Sequence, residues 1–377
     1  MLEIITIGIA LLFAANIGAS GSAAAMGEAY GSGAIKRRMV AQALVAVAVL
    51  AGGLLAGGAV VRTLGTGLVD PSHFTMSLTL VVLLSATVPL AIANLVGIPL
   101  STSEVTVGAI VGMGAAVGSL AIGHLGVILL GWMLLPLAAF AITSAASFLL
   151  FRLPANRQPK SGPLAKGLLT AIMIAGGVYT AFAAGANNVA NAVGPLVAAG
   201  VFTVSSGLVV GGVAVALGAL LLGGRTLETN GKRITHLSLG AGILVTFTVG
   251  TLVLLASIVG LPAPLTQGTT GAIMGVGFGI AGRKAMSKQV VRDIGTVWLL
   301  SPTISLLMSY LLVNLVTGDN ALSRPLTYVL LSSGLMVTAG ALLLINRPRL
   351  KHSLMLIRKR AVTVKRIVTA LMSPLVS

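Results

Sequence analysis

Two stretches of this chain, far apart in sequence, carry the same run of hydroxyls, amides, glycine and proline inside apolar surroundings. The first reads Gly97-Ile98-Pro99-Leu100-Ser101-Thr102-Ser103-Glu104-Val105-Thr106-Val107-Gly108-Ala109-Ile110-Val111-Gly112. The second reads Gly260-Leu261-Pro262-Ala263-Pro264-Leu265-Thr266-Gln267-Gly268-Thr269-Thr270-Gly271-Ala272-Ile273-Met274-Gly275. Laying Thr106 over Thr269 brings the leading Gly and Pro and the closing Gly-Ala-Ile-x-Gly into step without a gap. A further pair is Ala14-Ala15-Asn16-Ile17-Gly18-Ala19-Ser20-Gly21-Ser22 and Gly185-Ala186-Asn187-Asn188-Val189-Ala190-Asn191-Ala192-Val193-Gly194-Pro195. Setting Asn16 on Asn187 puts Ser20 opposite Asn191, so each copy repeats a polar side chain one helical turn on.

Uncharged donors of this kind suit an anion stripped of its water. Gly and Pro beside them predict helices broken partway, and a broken helix exposes backbone N–H groups and the positive end of its dipole. Hydroxyl and amide donors complete the cage. The candidate substrate-binding residues are Asn16, Ser20, Ser101, Thr102, Ser103, Asn187, Asn188, Asn191, Thr266, Gln267, Thr269 and Thr270. A lone Ser or Asn in such sequence more often bonds its own helix or a neighbour, but four clusters in two aligned pairs argue for a shared site.

Carboxylates are few enough to take one at a time. Glu3, Asp70 and Asp319 fall outside the apolar spans, and Asp293 sits by a basic loop. Glu28, Glu104 and Glu228 remain. A carboxylate in hydrocarbon costs about 2.5–3.5 kcal/mol on insertion scales, so it marks function by default. Glu104 adjoins Ser101-Thr102-Ser103 and is the first candidate for proton coupling, with Glu28 the second. In the repeat register Gln267, a neutral isostere, stands at the position of Glu104. Laying Val61-Arg62-Thr63-Leu64-Gly65 over Leu227-Glu228-Thr229-Asn230-Gly231 pairs Glu228 with Arg62 at span ends, where capping or an ion pair is expected. His73, His124, His236 and His352 lie near loops without metal-ligand spacing. The chain has no Cys, which removes disulfide, iron–sulfur and thiol chemistry. No metal site and no cofactor are expected.

The elements that carry these residues must cross a membrane. Of 377 residues, 56% are hydrophobic and 8% charged, too much apolar surface for a soluble fold of this length to hide. Apolar windows of about 20 residues, the length that spans a bilayer, recur from end to end. Spans are expected near 4–32, 39–61, 75–96, 105–122 and 125–151, then near 167–190, 200–222, 235–259, 268–282 and 293–317, with one more near 325–346. The opening stretch lacks a basic n-region and a cleavage site, so it reads as a retained helix. With the N-terminus outside, 22 of the 24 Lys and Arg fall in cytoplasmic loops and the tail, and only Arg62 and Arg324 face out. That asymmetry accounts for the net charge of +17 without nucleic acid, for which aromatic residues are also too scarce.

The sequence therefore predicts an all-α integral membrane protein. Its two five-span halves form an inverted-topology repeat with broken or re-entrant helices. The first repeat occupies 1–152, a cytoplasmic linker 153–166, the second repeat 167–317, an extra span 318–346, and a basic amphipathic tail 347–377. Breaks in both halves of such a repeat are the mark of a secondary transporter working by alternating access.

The clusters also resemble known signatures. Gly185-Ala186-Asn187-Asn188-Val189-Ala190-Asn191-Ala192 is similar to the GANDVANA signature of the inorganic phosphate transporter (PiT) family. Gly97-Ile98-Pro99-Leu100-Ser101-Thr102-Ser103 resembles that family's G-[LI]-P-x-S-T-[TS] motif, and Arg225-Thr226-Leu227-Glu228-Thr229-Asn230-Gly231-Lys232 resembles its R-x-x-E-T-x-G-K segment. The opening Asn16 cluster, with Met26-Gly27-Glu28-Ala29-Tyr30-Gly31-Ser32-Gly33, is most like the family's bacterial sulfate permease branch. The resemblance implies an oxyanion held at the midplane of an inverted repeat, a homodimer, and a bacterial plasma-membrane location with the C-terminus cytoplasmic. The chain departs from the family where an Asp of each signature half is Ile17 and Asn188. Those Asp residues help hold Na⁺ in sodium-coupled members, so proton coupling is the expectation here.

Substrate follows from the same substitutions. Sulfate accepts hydrogen bonds and donates none, which suits a donor cage without fixed negative charge. An ionised Glu104 repels it, and protonation removes the repulsion, linking proton uptake to sulfate binding. Sulfate import by proton symport, with thiosulfate as a related substrate, is the expected function. A phosphate transporter of the same fold is the nearest rival and an anion channel the next. Nothing in the sequence supports an enzyme.

Overall fold

The structure, a computed structural model, describes residues 1–96, 100–151, 162–234, 237–282 and 288–318. Most of the expected linker, the extra span and the basic tail lie outside the described residues, as do Gly97, Ile98, Pro99, His236, His352 and the side chain of Glu228. Every regular element among the described residues is helical. The long helices are α1 (Leu2–Gly31), α2 (Arg38–Ala56), α4 (Met76–Val96), α6 (Ile122–Phe151), α7 (Pro163–Ala198), α8 (Val204–Ile234), α9 (Leu239–Ile258) and α11 (Lys288–Thr317). Shorter ones are α3 (Gly58–Arg62), α5 (Thr102–Ala116) and α10 (Leu265–Ala281). A π-helical turn at Thr63–Gly67 and a 3₁₀ turn at Pro71–His73 join α3 to α4.

Eight described helices are long and apolar enough to cross a membrane. Large apolar side chains such as Leu55, Leu130, Leu149, Leu168 and Leu221 point outward, as lipid-facing residues must. The spans expected near 105–122 and 268–282 need correction. α5 has 15 residues and α10 has 17, so at 1.5 Å per residue they reach about 22 and about 25 Å, short of a hydrocarbon core of about 30 Å. They are half-helices, each the return arm of a hairpin. The α4–α5 hairpin starts and finishes at one end of the bundle, where Ala121 N donates to Leu68 O, Asp70 N meets Ser119 Oγ and His124 Nδ1 lies against Gly67 O. The α9–α10 hairpin starts at the opposite end, with Gly242 beside Glu28 and Met173 in the final turns of α1 and the early turns of α7.

Breaks expected at the two Asn clusters are absent: α1 and α7 run continuously through them. Side-chain hydrogen bonds explain part of this. The Asn16 amide donates to Leu12 O at 2.9 Å and Ser22 Oγ to Gly18 O at 2.9 Å, satisfying the polar groups on the helix itself. Pro195 comes only three residues before the end of α7 and interrupts nothing upstream.

Glycine is spent on close backbone approach. A Cβ on Gly18 would collide with Val215 O of α8, and one on Gly218 with Ala15 O of α1. A Cβ on Gly52 would meet Phe182 O of α7, and one on Gly185 would meet Val49 O of α2. The half-helices are seated alike. Gly108 and Gly112 of α5 lie on Pro302 and Leu306 of α11, while Gly271 and Gly275 of α10 lie on Pro136 and Phe140 of α6. In the Thr106/Thr269 register Gly108 falls on Gly271 and Gly112 on Gly275. Each half-helix is thus supported by a proline-containing helix from the other half of the chain. Small residues of this kind let membrane helices pack without a hydrophobic driving force.

Candidate substrate site at the half-helix tips

Two helix N-termini meet inside the bundle. Ser101 is the cap of α5: its backbone is extended, and its Oγ accepts from Glu104 N at 3.4 Å. The N–H groups of Thr102 and Ser103 have no carbonyl behind them in the helix. α10 begins just after Pro264, whose carbonyl accepts from Gln267 N and Gly268 N at 3.0 Å each. The tips are tied together by Ser103 Oγ, which donates to Ala263 O at 3.0 Å.

α7 brings three asparagines against this junction. Asn187 is fully buried and anchors it: Oδ1 accepts from Ala263 N at 2.8 Å and lies 3.2 Å from Ser103 Oγ. Its Nδ2 donates to Ser257 Oγ and to Leu261 O, both at 2.9 Å. Bonds around the other two are longer. Asn191 Nδ2 reaches Thr102 Oγ1 at 3.3 Å, Ser103 Oγ at 3.4 Å and Asn188 Oδ1 at 3.4 Å. Asn188 Oδ1 lies 3.5 Å from Ser103 Oγ, and Asn191 Oδ1 is buried without a partner among the described residues. Short bonds mark a fixed joint, and bonds at the long edge of the range are the ones a ligand exchanges at least cost. Glu104, buried one residue on, shares a hydrogen bond with the Ser301 side chain of α11, and Ser301 Oγ lies 3.5 Å from Ser101 O.

Ser101, Thr102, Ser103, Asn187, Asn188 and Asn191 therefore come together, and Glu104 joins them at the edge. Asn16 does not join. Asn94 Nδ2 donates to Asn16 O at 3.1 Å and lies 3.3 Å from Asn16 Oδ1, at the floor of a separate cavity. Ser20 Oγ donates to Ile17 O within α1, and Thr270 Oγ1 to Thr266 O within α10. Gln267 and Thr269 are buried on α10 without a hydrogen bond to the network, and Thr269 Oγ1 has no partner among the described residues. Glu28 is buried beside Gly242, neither carboxyl oxygen has a hydrogen-bond partner on another described residue, and it is not part of the network.

Sequence reasoning passed over Ser257 and Asn94, single polar residues in apolar runs, and Ser301, one of several hydroxyls spread along α11. Two of them were within reach of the repeat register, which lays Asn94 on Ser257. Asn187–Ser257 and Asn16–Asn94 join the same register positions, with the donor reversed: Asn187 donates to Ser257, whereas Asn94 donates to Asn16.

A helical bundle with paired half-helices, whose tips meet over buried uncharged donors, has the architecture of a multi-span membrane transporter. A family model described as "Phosphate transporter family" matches residues 17–309. The chain belongs to this family. The sulfate permease CysP of Bacillus subtilis (strain 168) is 45% identical over 316 residues, covering 83% of this chain and 88% of that protein. A solved structure entitled "The sodium-dependent phosphate transporter" superposes with a TM-score of 0.72 at 24% identity, covering 85% of this chain and 100% of that one.

Proposed function

We propose that this protein is a secondary active transporter that imports sulfate, with thiosulfate as a related substrate, by proton symport and alternating access. The observation that carries this is the meeting of the α5 and α10 N-termini at an uncharged network on α7. Two helix dipoles directed at one point favour an anion, and hydroxyl and amide donors complete its shell. Asn187 is the joint that holds the α9–α10 loop. Thr102, Ser103, Asn188 and Asn191 give up their long contacts to the substrate. Sulfate has no proton to offer, so a site without a fixed acceptor charge discriminates in its favour against protonated phosphate. The named activity of the Bacillus subtilis relative points the same way.

Glu104 is the coupling group in this proposal. Ionised, it repels the dianion at the adjoining α5 tip, and protonated it adds a donor. Binding of proton and sulfate then reinforce one another. Glu28, buried without a hydrogen-bond partner on any other described residue, is the second coupling candidate. An inverted repeat is supported by the matched glycine seats of α5 and α10, and by the matched Asn187–Ser257 and Asn16–Asn94 bonds. In the orientation that follows from the charges, the end bearing Lys36, Arg37 and Arg38 is cytoplasmic and the N-terminus is outside. A homodimer is part of the same proposal and rests on the family resemblance.

One observation favours a second reading. The single Ser103 hydroxyl proton faces Asn187 Oδ1, Asn188 Oδ1 and Ala263 O, with Asn191 Oδ1 unpartnered nearby. Such an oxygen-rich face also suits a hard cation, and with it sodium-coupled phosphate transport. Proteoliposome uptake of labelled sulfate, competed with sulfate, thiosulfate and phosphate in turn, separates the two. The proposal expects sulfate and thiosulfate to compete at concentrations where phosphate does not. Stronger competition by phosphate overturns the substrate assignment.

A further inference from the structure

Three helices hold the short segment that leads into α10. Asn187 of α7 takes Leu261 O and Ala263 N, and Ser103 of α5 takes Ala263 O. The carbonyl between them, Pro262 O, is held from α6, where the indole N–H of Trp132 donates to it at 2.8 Å. Trp132 is buried, and it walls an apolar cavity of about 230 Å³ together with Leu135 and Ala138 of α6, Leu252 and Ala256 of α9, and Pro262 itself. A single bond of this kind satisfies a buried N–H and need mean nothing more. The internal repeat gives it weight. Gly108 sits on Pro302 and Gly271 on Pro136, and the two glycines are register partners, so α6 and α11 align through these prolines. That alignment lays Trp132 on Trp298, the only tryptophans in the chain, within Trp132-Met133-Leu134-Leu135-Pro136 and Trp298-Leu299-Leu300-Ser301-Pro302. The half-helix register, set separately by Thr106 and Thr269, lays Pro99, which lies outside the described residues, on Pro262. Donor and acceptor residues therefore recur together, in registers fixed by different residues.

We propose that Trp132 and Trp298 are positioning residues for transport, each clasping the carbonyl of the proline that leads into one half-helix and so setting that tip at the substrate. The inference rests on the transport reading above. Ser103 has one hydroxyl proton, and a substrate that takes it also takes the bond to Ala263 O. The segment then depends on Asn187 and Trp132. Asn187 grips the outer two of three consecutive residues, and Trp132 grips the middle one from α6. That grip sets the pitch of the α10 N-terminus. Pitch matters because a helix end acts on an anion only across its first turn, and small misplacements at a site are expensive. The cavity beside Trp132 leaves the segment room to swing once the indole bond opens. The two clasps work in different surroundings. Three residues after Trp298 comes Ser301, which bonds Glu104 and lies near Ser101 O, whereas the same position after Trp132 is Leu135 in the cavity wall. One clasp thus stands a turn from the coupling group, and the other beside open apolar space.

Trp132→Phe and Trp298→Phe keep an aromatic ring and remove the donor. Labelled sulfate uptake into proteoliposomes, normalised to folded protein, gives KM and kcat for each. Loss of one neutral hydrogen bond behind a tip predicts a rise in sulfate KM of roughly fivefold in each variant, with kcat changed less than KM. Each variant also leaves a single tryptophan to observe. Sulfate should change the emission of that indole saturably, with its midpoint at the uptake KM. If a variant does not fold, the same titration of the unaltered protein keeps the test open, because both indoles report on the tips. A fall in folded yield with KM unchanged assigns the tryptophans a structural role and overturns the proposal. Emission indifferent to sulfate in protein that transports it also overturns it. A KM effect from Trp132→Phe alone overturns the pairing and removes Trp298. No sulfate uptake by the unaltered protein refutes the transport reading instead. In that case titrations of indole emission with sulfate and with phosphate still decide the clasps, so the two readings fail separately.

Discussion

Asn187 offers a test with a magnitude attached. Its side chain is fully buried and joins three elements through Ser103 of α5, Ser257 of α9, and Leu261 and Ala263 of the loop before α10. Replacing it as Asn187→Ala strands Ala263 N–H and Leu261 O and frees the loop that sets the α10 tip. Polar pairs between membrane helices average about 0.6 kcal/mol, with a ceiling near about 1.7 kcal/mol, because the loosened state finds other partners. Three inter-element links of that size put the total at about 2–5 kcal/mol. The Ser257 link alone is isolated by a double-mutant cycle with Ser257→Ala. Its coupling should be about 0.6–1.7 kcal/mol, equivalent to about threefold to about eighteenfold in the unfolding equilibrium. The assay is reversible unfolding in mixed micelles, with sulfate uptake measured in parallel. Asn187→Ala should lose uptake as well as stability, because the α10 tip moves. Strict additivity in the cycle, or full uptake in Asn187→Ala, refutes its role as the joint.

Three further outcomes follow from the structure. Gly108→Ala drives a methyl into Pro302 O and should cost on the order of 1–3 kcal/mol by thermal unfolding, whereas Gly123→Ala meets open space and should stay within about 0.5 kcal/mol. Outside the membrane, Ser72's hydroxyl and N–H hold the Asp70 carboxyl below the usual carboxylate range. The stability this lends the turn is present above an unfolded value of about 4 and is lost as pH falls through the lower folded value. A nitroxide at His73→Cys should therefore gain mobility only in strong acid, and Asp70→Ala should make it mobile at neutral pH. Glu104→Gln should abolish pH-driven accumulation of sulfate while sulfate:sulfate exchange persists, and retained uphill uptake removes Glu104 from coupling.

The membrane architecture was legible because hydrocarbon allows few choices: apolar runs of span length dictate helices and their order. The core of the site was legible for the same reason, since Ser101–Ser103 and Asn187–Asn191 are polar groups too expensive to leave in lipid. Helix breaks were harder to read. Gly18 and Gly185 look like breakers in sequence, yet each is spent on contact with a neighbouring backbone, and α1 and α7 continue through them. Whether glycine bends a helix or admits another depends on what lies across from it, which the local sequence does not carry. Ser257 and Asn94 were hidden because each is a lone polar residue in an apolar run, and Ser301 because it is one hydroxyl in a row with Thr303, Ser305 and Ser309; all three gain meaning only beside partners tens of residues or more away. Asn16 and Asn187 match in sequence but differ in surroundings, since one faces Asn94 and a cavity and the other a sealed joint.

Labelled sulfate uptake into proteoliposomes under an imposed pH gradient, then under an imposed sodium gradient, tests the central claim most directly. Proton-coupled transport predicts accumulation above equilibrium when the outside is acidic, collapse on adding a protonophore, and indifference to sodium. Accumulation driven by sodium alone, or equilibration without accumulation under either gradient, contradicts it.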